Sequence, residues 1–216
     1  MGYELIIFDW DGTLMDSTEL IAACIQAACR DLGLPEPGEG DAKFVIGLGM
    51  VDTMRHLVPN LDEAGRRQLS ERYRHHFLAR EDEAPLYSGV PELLADLKGR
   101  GRRLAVATGK ARRGLERALD TTGLRPLFEA TRCADEGFAK PHQGMLHALL
   151  EITGVEAARA VMVGDTTHDL ELAANAGIDA VAVLYGAHDE ALLATRPARA
   201  RCASVGELHR WLAASA

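Results

Sequence analysis

Two aspartates separated by a single residue are the first feature of this sequence that could do chemistry. Asp9 and Asp11 follow directly on the apolar run LIIF at residues 5–8, and Gly12 comes next. In an extended chain, residues i and i+2 point to the same side, so the two carboxylates can face one point. Paired carboxylates can divide the roles of nucleophile and general acid and base. An Asp-Gly turn with incidental carboxylates would explain the pair if it stood alone.

A second acidic pair lies in the C-terminal half of the chain. Asp165 follows the apolar run at residues 160–163, and Asp169 comes four residues later, where a helix is predicted to begin. Carboxylate oxygens in such positions suit Mg²⁺, which usually takes one or two carboxylates and fills its other positions with water and phosphate oxygens. Capping of the helix by an acidic residue in its first turn is the alternative interpretation.

Two further segments carry groups that could bind phosphate. Thr108 and Gly109 end the apolar run at residues 104–107, and their hydroxyl and bare backbone N–H groups could hold phosphate oxygens, although a plain Thr-Gly turn has the same composition. Lys140 precedes a proline, which keeps it out of the helical conformation and presents its ammonium from a stiff loop. That ammonium could neutralise Asp9 and a transferring phosphoryl group, or it could be a solvated surface lysine.

The elements that must position these residues are predicted to be strands of a parallel sheet. Short apolar runs predict buried strands, and helical patterns separate them, with strands at 5–8, 104–107, 160–163 and 180–184 and a weaker candidate at 128–131. This alternation predicts an α/β fold with a doubly wound, Rossmann-like parallel sheet. Ligands bind such sheets at the carboxyl ends of the strands, which is where Asp9, Thr108 and Asp165 lie.

One segment interrupts the alternation of strands and helices. Between residues 16 and 85 the sequence shows no convincing buried strand, and apolar spacing predicts helices at 20–32, 42–57 and 61–80. We therefore predict a helical cap at residues 16–85, inserted into a Rossmann-like core made of residues 1–15 and 86–216.

Composition and charge narrow the classes of partner. A formal net charge of −8 over 216 residues leaves no electrostatic footprint for nucleic acid, so a bound phosphate must be neutralised locally by a metal or a few cations. The four cysteines have no metal-binding spacing and suit free thiols in a reducing cytoplasm. No run approaches the ~18 apolar residues of a membrane span. We expect a cytoplasmic protein without nucleic-acid or membrane partners, and the sequence leaves its oligomeric state open.

Taken together and in this order, the motifs resemble those of the haloacid dehalogenase-like hydrolase superfamily. The first motif stands here as FDWDGTLMDS at residues 8–17, the second as VATG at 106–109, the third as AKPH at 139–142, and the fourth as GDTTHD at 164–169. The helical insertion between the first two motifs is similar to the C1-type cap of phosphoglycolate phosphatases. The resemblance covers the whole chain.

The resemblance implies a reaction and a role for each site residue. Asp9 would be the nucleophile that takes the phosphoryl group, and Asp11 would protonate the leaving alkoxide and then deprotonate the attacking water. Thr108 and Gly109 would bind the phosphate, while Lys140 would steady Asp9 and the transferred group. The expected enzyme hydrolyses a small phosphorylated metabolite, a phosphate monoester, through an aspartyl-phosphate intermediate.

The resemblance also implies a magnesium site. Asp9, the backbone carbonyl of Asp11 and Asp165 would hold Mg²⁺, with Asp169 supporting the ion directly or through water. Independently of the resemblance, four converging carboxylates and one ammonium would form a strongly negative pocket that repels a phosphate dianion. A divalent cation resolves that repulsion and stabilises charge in the transferring group.

Single residues in the motifs and in the cap disfavour other functions within and outside the superfamily. Asp11 disfavours a dehalogenase, because dehalogenases lack an acid at that position. A phosphonatase is also disfavoured: it uses a cap lysine to form a Schiff base, and the only cap lysine here, Lys43, is expected to be a solvated surface residue. A sugar-phosphate mutase stays an alternative, although its cap loop typically carries an Arg and a Ser that the stretch IGLGM at 46–50 lacks. A non-enzymatic phospho-aspartate switch is the other alternative, and it too is disfavoured by Asp11, which would promote hydrolysis.

Trp10 and Lys110 lie within or next to the motifs, and we expect different surroundings for each of them. Trp10, between the two aspartates, is expected to point away from them and pack in the interior. Lys110 stands after Gly109, where phosphoglycolate phosphatases often have an Asn before the Lys, so the particular substrate stays open. The Lys110 ammonium is expected either to meet a substrate carboxylate or to face solvent.

Overall fold

A six-stranded parallel sheet lies at the centre of the molecule, in a computed structural model that describes residues 2–215. Its strands are β1 (Leu5–Phe8), β2 (Arg103–Thr108), β3 (Ala130–Cys133), β4 (Ala160–Gly164), β5 (Asp179–Val183) and β6 (Ala200–Cys202). Their order across the sheet is β3-β2-β1-β4-β5-β6, and every neighbouring pair is parallel. The predicted α/β fold with a doubly wound parallel sheet is confirmed.

The order of the strands places a switch point between β1 and β4. From β1 the chain builds outward to β2 and β3, and it then returns to β4 and builds outward on the other side. Crevices at such points, beyond the carboxyl ends of the strands, are where ligands bind in doubly wound sheets. Phe8 pairs with Val163 across this junction, so the residues that follow β1 and β4 leave the sheet side by side.

Both faces of the central strands are buried. Ile6 and Phe8 pack into one apolar cluster, whereas Leu5 and Ile7 pack into the cluster on the other face of the sheet. Because neither face meets water, the strand reads as an unbroken apolar run rather than an alternating one. The edge strand β6 was not predicted, since it has only three residues and the middle one, Arg201, is exposed.

Ten α-helices are assigned within residues 2–215. Four lie between β1 and β2: α1 (Thr18–Asp31), α2 (Glu39–Phe44), α3 (Met50–Leu57) and α4 (Glu63–Leu78). The other six are α5 (Val90–Gly99), α6 (Arg112–Thr122), α7 (Gly144–Thr153), α8 (Thr167–Asn175), α9 (Glu190–Leu193) and α10 (Val205–Ala214). None of the helices in this described part has the length and apolar character that a membrane span requires.

The helical segment after β1 differs from the prediction in one respect. A continuous helix over 42–57 was predicted, but α2 and α3 are separate helices joined by residues 45–49. Gly47 in this connection has φ of +91°, a left-handed conformation that a helix cannot contain and that favours glycine. The turn therefore ends α2 and redirects the chain.

Helices α1 to α4 pack together and also against the sheet layer. α1 contacts α2 and α4, and a small cluster of Ala28, Cys29, Met54 and Leu69 forms the interior of this helical segment. The division into a cap of 16–85 and a core of 1–15 and 86–216 stays a prediction, supported by this separate cluster. Met1 and Ala216, the outermost residues of the predicted core, lie outside the described residues.

Candidate active site

Three aspartates from two strand ends and one helix meet beyond the switch point of the sheet. Asp9 follows β1, Asp165 follows β4, and Asp169 lies in the first turn of α8; each offers a carboxylate oxygen within 4.8 Å of those of the other two. All three side chains are buried. Among the described residues, this is the group of acidic side chains close enough together to share a metal ion.

A single buried ammonium lies against this acidic cluster. Lys140 Nζ is 2.8 Å from Asp9 Oδ1 and 2.7 Å from Asp169 Oδ1, and the lysine side chain is fully buried. Burial alone would lower the pKa of Lys140, but the carboxylates of Asp169 and Asp9 outweigh it and raise that pKa. The lysine therefore stays charged, and three ionised carboxylates would still outnumber it.

Burial and the excess of negative charge raise the pKa values of Asp9 and Asp165. Burial raises the pKa of Asp9 well above its usual range; Lys140 opposes the shift, and the Asp169 and Asp165 carboxylates add to it. Burial, with the Asp169 carboxylate, raises the pKa of Asp165 to about 7, although Thr13 and the Ala187 N–H oppose the shift. A buried cluster with this imbalance favours a bound cation over three ionised groups alone.

Asp165 is held from both of its oxygens by neighbouring loops. Thr13 Oγ1 donates to Asp165 Oδ1 at 2.6 Å, and the backbone N–H of Ala187 donates to Oδ2 at 2.8 Å. A Cβ on either Gly12 or Gly186 would collide with the Asp165 side chain. Glycines at these two places thus make room for a carboxylate whose orientation the loops determine.

Asp169 both caps α8 and takes part in the cluster. Its Oδ2 accepts from the backbone N–H of Thr166 at 3.1 Å, and Thr166 Oγ1 in turn accepts from the Asp169 N–H at 3.3 Å, which forms a capping box. Its Oδ1 accepts from Lys140 at 2.7 Å. The two interpretations of this residue, helix cap and site residue, are therefore satisfied together.

One oxygen in the cluster is left without a partner. Asp9 Oδ1 accepts from the backbone N–H of Trp10 at 2.6 Å and lies 2.8 Å from Lys140, whereas the buried Oδ2 has no hydrogen-bond partner among the described residues. A buried, unpaired carboxylate oxygen is costly unless a ligand satisfies it. Oxygen donors with one unsatisfied member fit Mg²⁺, which prefers carboxylate oxygens and keeps positions open for water and phosphate.

The carboxylate of Asp11 is directed elsewhere. Lys110 Nζ donates to Asp11 Oδ1 at 2.8 Å and to Oδ2 at 2.9 Å, and Ser17 Oγ donates to Oδ1 at 2.8 Å. Asp11 therefore has its own cation, and its side chain is not one of the three that converge as candidate metal ligands. Lys110 does not face solvent, because its side chain is only 12% exposed and pairs with this aspartate.

Gly109, directly after Thr108 at the end of β2, lies against the turn between α2 and α3. Thr108 is buried, and its Oγ1 accepts from the Lys110 backbone N–H at 3.1 Å. A Cβ on Gly109 would collide with the Gly47 carbonyl and lie 2.7 Å from the carbonyl oxygen of Leu48. The helical segment thus brings bare backbone close to the predicted phosphate site.

Two histidines that the sequence motifs did not assign hold the end of α2. His168 Nε2 donates to the backbone carbonyl of Phe44 at 2.8 Å, and His188 Nε2 donates to the same carbonyl at 3.0 Å. His188 Nδ1 accepts from the Thr167 N–H at 3.0 Å, which places the proton of a neutral His188 ring on Nε2. Burial lowers the pKa of both histidines, which favours their neutral forms.

The ring of Phe44 completes this contact. It stacks on His188 with centroids 5.2 Å apart and meets His168 edge-on, also at 5.2 Å. A histidine next to a motif aspartate was visible in the sequence, but its partner Phe44 is 124 residues away and carried no signal. Trp10 packs as predicted: it is fully buried, with its ring edge-on to Phe128.

A doubly wound parallel sheet with three buried carboxylates and a buried lysine beyond its switch point is the arrangement of an α/β-fold enzyme suited to phosphoryl chemistry. A family model described as haloacid dehalogenase-like hydrolase matches residues 6–183. The chain belongs to this family.

Three relatives are similar to this chain over most of its length. "Probable phosphatase IndB" of Dickeya dadantii is 38% identical over 192 residues, which cover 85% of this chain and 82% of the relative. "Tyrosine-protein kinase PtkA" of Mycobacterium tuberculosis is 38% identical over 187 residues, 85% of this chain but 62% of that protein. "Phosphoglycolate phosphatase" of Caulobacter vibrioides is 33% identical over 191 residues, covering 86% and 81%.

A predicted phosphatase from Clostridium acetobutylicum, known by its crystal structure, superposes with a TM-score of 0.88 and 25% identity over 99% of this chain and 100% of that one. The similarity to proteins named phosphoglycolate phosphatase supports the phosphoglycolate phosphatase-like subgroup that the motifs predicted. The protein is a phosphatase that hydrolyses phosphate esters.

Proposed function

We propose that this protein is a Mg²⁺-dependent, phosphoglycolate phosphatase-like enzyme that hydrolyses small phosphate monoesters through an aspartyl-phosphate on Asp9. One observation carries the proposal. Three buried carboxylates lie within 4.8 Å of one another beside one buried ammonium, and the buried Asp9 Oδ2 lacks a partner. That oxygen is the free, desolvated group that a nucleophile or a metal ligand requires.

The metal would be held by the acidic cluster. Asp9, Asp165 and the backbone carbonyl of Asp11 are the proposed ligands, and Mg²⁺ bound there would neutralise the cluster and offset charge on the transferring group. Asp169 is placed as a supporting residue, because its Oδ1 accepts from Lys140 and its Oδ2 from Thr166.

Each side chain of the site has its own role in the two half-reactions. A carboxylate oxygen of Asp9 forms a bond to phosphorus while the bond from phosphorus to the leaving oxygen breaks, and Asp11 gives that oxygen a proton. In the second half, Asp11 takes a proton from a water whose oxygen attacks phosphorus, and the bond to Asp9 breaks. Lys140 balances charge on Asp9 and the phosphoryl group, and Thr108 and Gly109 hold phosphate oxygens.

A panel of phosphate monoesters tests this function. We expect Mg²⁺-dependent release of inorganic phosphate from at least one small substrate, and Asp9→Asn should lower kcat by about 10⁴-fold or more because the nucleophile is gone. Asp120→Asn, the same change at an exposed position on α6, is the matched control and should leave kcat unchanged. Undiminished turnover in Asp9→Asn would contradict the proposal.

The same assay separates the alternatives. Transfer of phosphate to another hydroxyl of a sugar phosphate, without release, would identify a mutase instead. A stable phosphoprotein without turnover would identify a phospho-aspartate switch.

A further inference from the structure

Asp11 lies in a polar site of its own, beside the acidic cluster. Lys110 Nζ donates to both of its carboxylate oxygens, at 2.8 and 2.9 Å, and Ser17 Oγ donates to Oδ1 at 2.8 Å. The side chains of Lys110 and Asp11 are only 12% and 10% exposed. An ion pair this well enclosed constrains the direction of both side chains, unlike a solvated surface pair.

Lys110 is itself held along its whole length. Its backbone N–H donates to Thr108 Oγ1 at 3.1 Å, which ties it to the end of β2. Its aliphatic stem runs past Gly114 of α6, where an added Cβ would lie 3.5 Å from Lys110 Cγ. Its ammonium lies 4.8 Å from the ring centroid of Phe77 on α4, within the range of a cation–π contact. The ammonium therefore has a defined place where strand end and helical segment meet.

Lys140, the buried lysine of the acidic cluster, cannot serve Asp11. Lys140 Nζ is engaged by Asp9 at 2.8 Å and Asp169 at 2.7 Å. The site thus contains two lysines with separate partners, one for the proposed nucleophile and one for the proposed general acid and base. An acid–base group must be held within hydrogen-bond reach of the proton that it transfers.

We propose that Lys110 is the positioning residue for acid–base catalysis, acting through Asp11 and not on the phosphoryl group. This inference rests on the proposed function, in which Asp11 protonates the leaving oxygen. When one Asp11 oxygen carries the proton, the other can still accept from Lys110, so the pair can orient Asp11 in both half-reactions. Ser17 Oγ assists by donating to Asp11 Oδ1, but it carries no charge.

Two substrates with different leaving groups test the role. An aryl phosphate such as p-nitrophenyl phosphate releases a stable anion that needs no proton, whereas an alkyl phosphate releases an alkoxide that does. The quantity to compare is kcat/KM, because it covers steps up to release of the alcohol and excludes hydrolysis of the phosphoenzyme. Lys110→Met removes the ammonium and keeps the apolar stem against Gly114 and Phe77.

We expect Lys110→Met to lower kcat/KM by about 10-fold or more on the alkyl phosphate and by less than about 3-fold on the aryl phosphate. The loss on the alkyl phosphate should be smaller than the full contribution of a general acid, because Asp11 itself is still present. Lys110→Arg should recover part of the loss. In an Asp11→Asn background, Lys110→Met should have no further effect on the alkyl substrate, because residues that act as a unit are not additive. Lys43→Met, which removes a cap lysine paired with Glu19 and Glu39, should leave both rates unchanged.

Three results would overturn the positioning role. An equal loss on both substrates would mean a structural or phosphate-binding lysine. A rise in KM confined to substrates that carry a carboxylate would mean that Lys110 reads that carboxylate. Full additivity with Asp11→Asn would mean that the two residues act separately. If Asp9→Asn retains turnover, the proposed function itself fails, which this comparison distinguishes from failure of Lys110 alone.

Discussion

At the scale of single residues, the site holds more buried carboxyl groups than cations. Asp9, Asp165 and Asp169 are buried together, and Lys140 supplies one positive charge. Thr13 and the Ala187 N–H stabilise the ionised form of Asp165, yet burial still raises its pKa to about 7. The folded protein without metal therefore keeps a proton on Asp165 under conditions in which the unfolded chain has lost it.

This difference predicts how stability depends on pH. Because the folded pKa of Asp165 is about 7 and its ordinary value is 3.8, the folded state binds more protons between these values, and stability falls as pH rises through that window. In EDTA, the Tm of the wild type minus that of Asp165→Asn should be larger at about pH 5 than at about pH 8. Calorimetry across this range measures the difference.

Saturating Mg²⁺ provides the control for the pH dependence. An ion that binds the ionised cluster stabilises the folded state and should remove the fall in the wild type. The Asp165→Asn protein should gain less from Mg²⁺. A difference in Tm that is constant with pH in EDTA would contradict the raised pKa.

The sequence was informative about residues that end strands and uninformative about their distant partners. Asp9, Thr108 and Asp165 could be located because an apolar run precedes each of them. The pair of Lys110 with Asp11 joins residues 99 positions apart and depends on two side-chain conformations, which no local pattern encodes.

At the scale of elements, the turn between α2 and α3 is the part that the sequence pattern described least well. Apolar spacing over 42–57 matched a single helix, but the left-handed Gly47 interrupts it and lets the turn approach β2. The strands at the centre of the sheet were predictable because burial on both faces gives unbroken apolar runs. The short edge strand β6 has no such run.

The close approach of this turn predicts a sharp effect of one methyl group. In Gly109→Ala, the new Cβ would lie 2.7 Å from the Leu48 carbonyl oxygen and would collide with that of Gly47, so the turn must move away from the site. We expect kcat/KM to fall by about 10²-fold, the scale of effect that a displacement of about 1 Å can have. Steady-state kinetics on the best substrate measures the change.

Gly99→Ala is the matched control for this effect. Gly99 is the last residue of α5, and a Cβ there would meet nothing within 4 Å. Its activity should be that of the wild type, and alanine should slightly stabilise the helix. Wild-type activity in Gly109→Ala would show that the turn does not need to rest on the phosphate site.

At the scale of the whole molecule, the helical segment and the sheet layer share one apolar cluster. One apolar cluster contains Phe8 of β1 and Val163 of β4. It also contains Ile21 of α1, Ile46 of the turn after α2, and Phe77 of α4. The helical segment is therefore packed against the strand ends in this structure. Asp9, the proposed nucleophile, is only 1% exposed, so we expect this contact to open during turnover.

The contact of Phe44 with His168 and His188 is the polar and aromatic part of the packing between the helical segment and the sheet layer. Phe44→Ala keeps the backbone carbonyl that both histidines bind but removes the ring, which stacks on His188 and meets His168 edge-on. Each lost aromatic contact is worth about 0.5–1.5 kcal/mol, so opening should become about 10-fold more frequent. Hydrogen exchange at residues 39–49 should accelerate accordingly, while exchange in β1 and β4 stays unchanged.

Val51→Ala supplies the comparison, because Val51 lies on α3 of the same segment and is 61% exposed. Its exchange rates at residues 39–49 should match those of the wild type. Faster exchange throughout the sheet in Phe44→Ala would mean that the ring supports the fold as a whole, because local opening leaves the central strands protected. Acceleration confined to residues 39–49 would instead identify the Phe44 ring as one of the contacts that hold the end of α2 against His168 and His188.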